Sequence, residues 1–186
     1  MKRTGLIRLG GLAAIVGSLI FAVHGSLLDP EGTLVVSTVL ALLSVMAVIV
    51  ALHLLQRERY GYEGALASAS AFVGVALALG GFIGFPSMPR GDVLGVGTDI
   101  LLLGMGMLAA TIGIIALGIF TLGAGGLPWW GGAALIAGNP LVGVLLLFFG
   151  LDFLFGSWPV VVPWVVVGFA VFRAASHQTQ QPSRVR

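Results

Sequence analysis

The first residue in this chain with the means to do chemistry is an amide. Asn139 stands before Pro140 inside a long apolar stretch, and a polar side chain in hydrocarbon is costly enough to need a reason. Counted from Leu127, Asn139 lies about 18 Å along a helix, close to the midplane of a bilayer. Pro140 has no N–H and clashes with the carbonyl four residues back, so backbone acceptors are released beside the amide. Gly138-Asn139-Pro140 therefore reads as a helix break. It is either an unwound substrate or ion site, or a plain kink whose amide bonds a neighbouring helix. Thr111, midway along the preceding apolar stretch, is the second candidate, although its hydroxyl can instead bond its own backbone one turn back.

A second constellation is acidic. Asp29, Glu31, Asp92, Asp99 and Asp152 fall in or beside connections that share one face of the membrane, with Arg90 the only cation there. Carboxylates gathered in this way attract hard cations such as calcium. Their spacing fits no ligand code, however, and acids on water-facing loops need no ligand. The histidines form no metal site: His24 and His53 are separated by roughly 20 Å along the membrane normal, and His177 is near the C-terminus. With no cysteine, disulfides, thiolate metal sites and thiol catalysis are absent together. Gly104-Met105-Gly106-Met107-Leu108-Ala109 matches a dinucleotide fingerprint in letters only, because no strand precedes it. Gly95-Val96-Gly97-Thr98-Asp99 misses the G-x-G-D of intramembrane aspartyl proteases by one residue and lacks the Tyr-Asp partner. No nucleophile–base pair is present, so neither catalysis nor a cofactor is expected.

The elements that must hold these residues are membrane spans. Of the 186 residues 58% are hydrophobic and only 9% charged, and the mean hydropathy is +1.10. A soluble domain carries roughly 25% charged residues, and disorder needs low hydrophobicity, so both classes are excluded. A span needs roughly 20 mostly apolar residues. Six such stretches are predicted: Leu6–Leu28, Thr33–Gln56, Gly64–Phe85, Asp99–Gly123, Leu127–Gly150 and Ser157–Phe172. The first is too long for a signal-peptide core and reads as a retained span. Residues 1–174 make one transmembrane domain, and 175–186 a polar, disordered cytoplasmic tail.

Charge supplies the orientation. With six spans, positions 1–8, 57–63 and 173–186 share a side and hold eight of the nine Lys and Arg residues. By the positive-inside rule both termini are cytoplasmic. Trp129, Trp130 and Trp158 start spans and suit the headgroup level. The pI near 9.7 thus reflects topology, and no basic–aromatic run points to nucleic acid.

Small residues set the packing. Ser70, Gly74 and Ala78 recur at helical spacing, and Gly80 and Gly84 form a GxxxG pair, which predicts close helix contacts and places the third span at the bundle centre. A shift of 96 residues lays Gly10, Leu12, Ala13, Ala14 and Gly17 on Gly106, Leu108, Ala109, Ala110 and Gly113. With three spans per half, a repeat of this kind would be inverted, as in many secondary transporters.

Several stretches carry a family likeness: Leu54-Leu55-Gln56-Arg57-Glu58-Arg59-Tyr60-Gly61 with Ala71-Phe72-Val73-Gly74, Arg8-Leu9-Gly10-Gly11-Leu12-Ala13-Ala14, Leu127-Pro128-Trp129-Trp130-Gly131, and the closing Trp164 to Phe172 segment. Over most of the chain they resemble a group of uncharacterised small multi-span membrane proteins of actinobacteria and related bacteria. The resemblance implies a bacterial cell membrane and brings no activity, ligand or catalytic residue. The expected architecture is an all-α, six-span bundle. Its first functional reading is a non-enzymatic membrane component, surrounded by lipid and packing with itself or a partner membrane protein. The alternative is a small secondary transporter or channel with its site at Asn139-Pro140.

Overall fold

Hydrocarbon offers the backbone no hydrogen-bond partner, so long apolar stretches must close their own ladders. In the computed structural model they do. The structure describes residues 3–27, 33–84, 92–93, 96–139, 142 and 158–180. Among these lie six helices: α1 (Arg3–Leu27), α2 (Thr33–Gln56), α3 (Gly61–Gly84), α4 (Thr98–Ala124), α5 (Trp129–Ala137) and α6 (Trp158–Gln180). Five of them, all but α5, are long and apolar enough to cross a membrane. The chain folds as an all-α bundle of a multi-pass membrane protein. A two-residue antiparallel ladder, β1 (Asp92–Val93) with β2 (Val96–Gly97), precedes α4 and sets Asp92 opposite Gly97.

The span limits hold with two differences. The expected fifth span is described only as far as Asn139 and at Val142, and its helix stops at Ala137. At the other end, α6 runs past Phe172 to Gln180. Residues 175–180, expected in the polar tail, are therefore helical. Ala174 and Ala175 favour a helix, Ala175 is fully buried, and the Ser176 hydroxyl donates to the Phe172 carbonyl at 3.0 Å. Tight turns join α2 to α3 and α4 to α5, with Gly61 and Gly125 each at φ +61°. Gly125 directly follows the last residue of α4, where a left-handed backbone closes a helix and glycine adopts it without a Cβ penalty.

Each helix packs on its chain neighbours, and α6 closes a ring by returning to α1 and also reaching α2. The seams are made of glycine. A Cβ on Gly74, Gly106 or Gly113 would enter the backbone of the facing helix in the α3–α4 pair. Gly10 and Gly17 similarly face Ala51 and Ser44 across α1–α2, and Gly11 meets Gly168 across α1–α6. Large side chains point the other way: Leu9, Leu12, Leu108 and Ile112 are exposed. At these seams small residues face the neighbouring helix and large ones the lipid, where apolar chains gain little by leaving it, while Ile49, Leu52, Ile114 and Leu117 are buried in the core.

Two packing expectations are corrected. The third span is not central: α3 is a ring member whose main neighbours are α2 and α4. Its Gly80 has open space around it and is exposed, so that part of the GxxxG pair serves no contact among the described residues. As for the shift of 96 residues, Gly10 and Gly17 pack on the following helix, whereas Gly106 and Gly113 pack on the preceding one. The matched glycines therefore do different work.

Candidate functional site

The helix break expected at Asn139 is present. Gly138 ends α5, its N–H reaching the Ala134 carbonyl at 2.8 Å, and the Asn139 carbonyl accepts from Val142 N–H at 3.1 Å. Ending a helix here leaves carbonyls without ladder partners. Two side chains take them. The Asn139 amide donates to the Ile136 carbonyl, and the Trp164 indole N–H of α6 donates to the Gly138 carbonyl at 2.9 Å. Asn139 is 5% exposed, and Pro140 lies outside the described residues.

Beside this break is a cavity of about 340 Å³. All six helices or their ends contribute to its wall, through residues such as Phe21, Leu42, Phe82, Met107, Gly138 and Trp164. The wall is almost entirely hydrocarbon, with Ser18 and Thr38 its only hydroxyls among the described residues. It lies chiefly in the half of the bundle where α1 ends and α2 begins, as its α6 residues and, apart from Ile114, its α4 residues come from the first halves of those helices. Thr111 is buried in α4 but is not part of this wall.

The opposite end, where Arg3 meets the α2–α3 turn, is polar. Gln56 is completely buried at the foot of α2. The Thr121 hydroxyl of α4 donates to its Oε1 at 3.1 Å, whereas its Nε2 is buried without a partner among the described residues. Gly126 lies directly against it, since a Cβ there would stand 3.1 Å from Gln56 Cγ. The Tyr60 hydroxyl donates to Ser68 Oγ at 2.9 Å, and Ser68 passes its own proton to the Gly64 carbonyl. Tyr60 also approaches His53 Nδ1 at 3.2 Å. Burial pushes the Tyr60 phenol above its ordinary value. Arg3 binds Glu58 Oε1 at 2.8 Å and the Leu54 carbonyl, and Arg59 reaches the Gly125 carbonyl at 3.0 Å. The hydrogen bond and charge of Arg3 hold the Glu58 carboxyl below its ordinary value.

None of the acidic constellation's side chains is among those described. Asp29, Glu31 and Asp152 lie outside the described residues, as do the side chains of Asp92 and Asp99. Among the described residues no group of three or more metal-ligating side chains comes together. Two residues that matter were not singled out from sequence. Trp164 had a signal: it stands in the middle of its predicted span, while the other tryptophans start theirs. Gln56 had only a weak one, a polar residue at the last position of a span.

Fold and site together define a multi-pass helical membrane protein with an apolar cavity in one half and a closed polar network in the other. No family model, curated protein or solved structure matches the chain.

Proposed function

We propose that the chain is a non-enzymatic component of a bacterial plasma membrane, both termini cytoplasmic, that holds a small apolar molecule inside its helix ring. The cavity carries this reading. Apolar space of about 340 Å³, if left unfilled, would deprive its lining of dispersion contacts. An apolar void also stays dry, which leaves hydrocarbon as the occupant. The sorting of basic residues supports the orientation, and the resemblance to actinobacterial multi-span proteins supports the membrane. Association with itself or with a partner membrane protein belongs to the same reading and is read out by particle mass in nanodiscs.

The test uses Trp164 as reporter. In a variant with Trp129, Trp130 and Trp158 changed to Phe, 1-bromoundecane is expected to quench Trp164 saturably. Ala41→Phe, which fills the wall, is expected to abolish that quenching. Unsaturable quenching, no stronger than in a variant retaining only the exposed Trp158, would overturn the reading.

The transporter alternative has one observation in its favour: the Gly138–Asn139 break adjoins the cavity, while the other end is sealed by side chains. Single cysteines at Asn139, Asp29 and Gln178, treated with an impermeant thiol reagent in vesicles of both orientations, separate the two readings. Labelling at 139 brings water to the midplane and moves transport ahead. Labelling of the two controls alone, each from its own side, leaves a sealed guest site.

A further inference from the structure

We infer that the guest is a neutral, hydrocarbon-rich molecule carrying one hydrogen-bonding oxygen, and that the Ser18 hydroxyl is its polar contact. This rests on the reading of the cavity as a guest site. Among the described residues, the other polar groups at or next to the cavity are engaged. Trp164 is spent on Gly138, Asn139 on Ile136, and Thr38 has interactions of its own. Ser18 differs. It lines the cavity, is 6% exposed, and its hydroxyl makes no hydrogen bond among the described residues.

That is unusual for a serine in a helix, whose hydroxyl has a ready acceptor in the carbonyl four residues back. Ser68 and Ser176 both use that acceptor, on Gly64 and Phe172, and Ser44 bonds the Ala41 carbonyl. Ser18 leaves the equivalent bond unmade and stands in a hydrocarbon wall with donor and acceptor both free. A hydroxyl in that state, set in a hydrocarbon wall, gains a hydrogen bond when a ligand oxygen meets it. Among the described residues no charged side chain lines the wall, so an ionic headgroup would meet no counter-charge from them, and a neutral guest fits this lining best. Its size is bounded as well. An engineered cavity of about 150 Å³ accepts benzene, and this one is about twice as large, enough for a fatty alcohol, a short prenol or the ester-bearing part of a lipid chain.

The experiment compares 11-bromoundecan-1-ol with 1-bromoundecane on the protein retaining Trp164 alone, each dosed as mole fraction in the micelle. The alcohol is expected to reach half-quenching at roughly three- to tenfold lower dose, the worth of one hydrogen bond. Ser18→Ala should remove that preference and leave the alkane curve in place, whereas Ser18→Thr should keep it. Equal potency of the two probes in the parent, or a preference that survives Ser18→Ala, overturns the inference. Failure of both probes to saturate overturns the guest site itself. Competition by added diester but not diether phospholipid assigns the oxygen to a lipid ester, and competition by neither assigns it to a free molecule.

Discussion

The two ends of this bundle solve opposite problems with the same helices. Around Gln56 the ring is closed by side chains that bond one another and the turn carbonyls, and the backbone is compact through Gly61 and Gly125. Around Trp164 the ring is open inside, and the side chains are hydrocarbon. Both halves share the α3–α4 and α1–α2 glycine seams, so helix spacing at the seams does not account for the contrast. The difference comes from what fills the ring: polar groups that bond one another, all but Gln56 Nε2 among those described above, at one end, and apolar groups that leave a volume at the other. Each missing partner weakens a polar plug, whereas apolar space stays dry and can take up hydrocarbon.

If the shared seams carry both halves, breaking one should have the largest effect. Gly113→Leu would drive a side chain into the α3 backbone at Ala71 and is expected to cost more than about 3 kcal/mol, read as loss of the monodisperse peak in size exclusion. Gly104→Leu, on the same helix but in open space, should leave stability within about 0.5 kcal/mol. At the plug, Thr121→Ala orphans Gln56 Oε1 beside an amide already lacking one partner, and should cost about 1–3 kcal/mol. Gln56→Leu removes the whole polar group and should cost less, so denaturation in mixed micelles that reversed this order would remove the plug from the comparison.

At the cavity, Trp164→Phe leaves the Gly138 carbonyl without its indole and should cost about 1 kcal/mol, measured in the same way. The smallest effect concerns the rim of the polar end. Because Arg3 lowers the Glu58 pKa from 4.5, the pair's contribution is complete above that pH and is lost as pH falls through the folded-state value. The pair is exposed, so the melting temperature should fall only slightly on acidification, and Glu58→Gln should flatten that slope.

Much of the fold was legible because length and hydropathy suffice for spans. The α2 limits coincide with the expected stretch, and Gly138-Asn139-Pro140 announced the end of α5 through proline's missing N–H. What stayed hidden was which face of each helix points inward. In water, polar residues mark the outer face, but in lipid both faces are apolar and that mark is gone. Gly74 and Gly80 look alike in sequence, yet one is locked against α4 and the other faces open space. The cavity was invisible for the same reason, since Phe21, Leu42 and Met107 come from three helices with no shared pattern. Of the candidate residues, Asn139 proved to follow the lining residue Gly138 without lining the cavity itself, Thr111 proved to be buried elsewhere in α4, and Ser18 drew no notice as one serine in an apolar run.

One wall of the cavity is built differently from the rest. Gly138 lies against Pro163, a Cβ there coming within 2.8 Å of the proline ring, and Pro163 sits inside α6. Proline deprives α6 of one ladder bond at the level where α5 has already stopped. Two interrupted backbones therefore face each other on one side, while glycine-locked seams brace the α1–α2, α3–α4 and α1–α6 contacts. If the pocket holds a guest, the side where both backbones are interrupted is the one expected to yield. Guests differing in girth would be accommodated by the α5–α6 wall, and selectivity for length would be kept by the others.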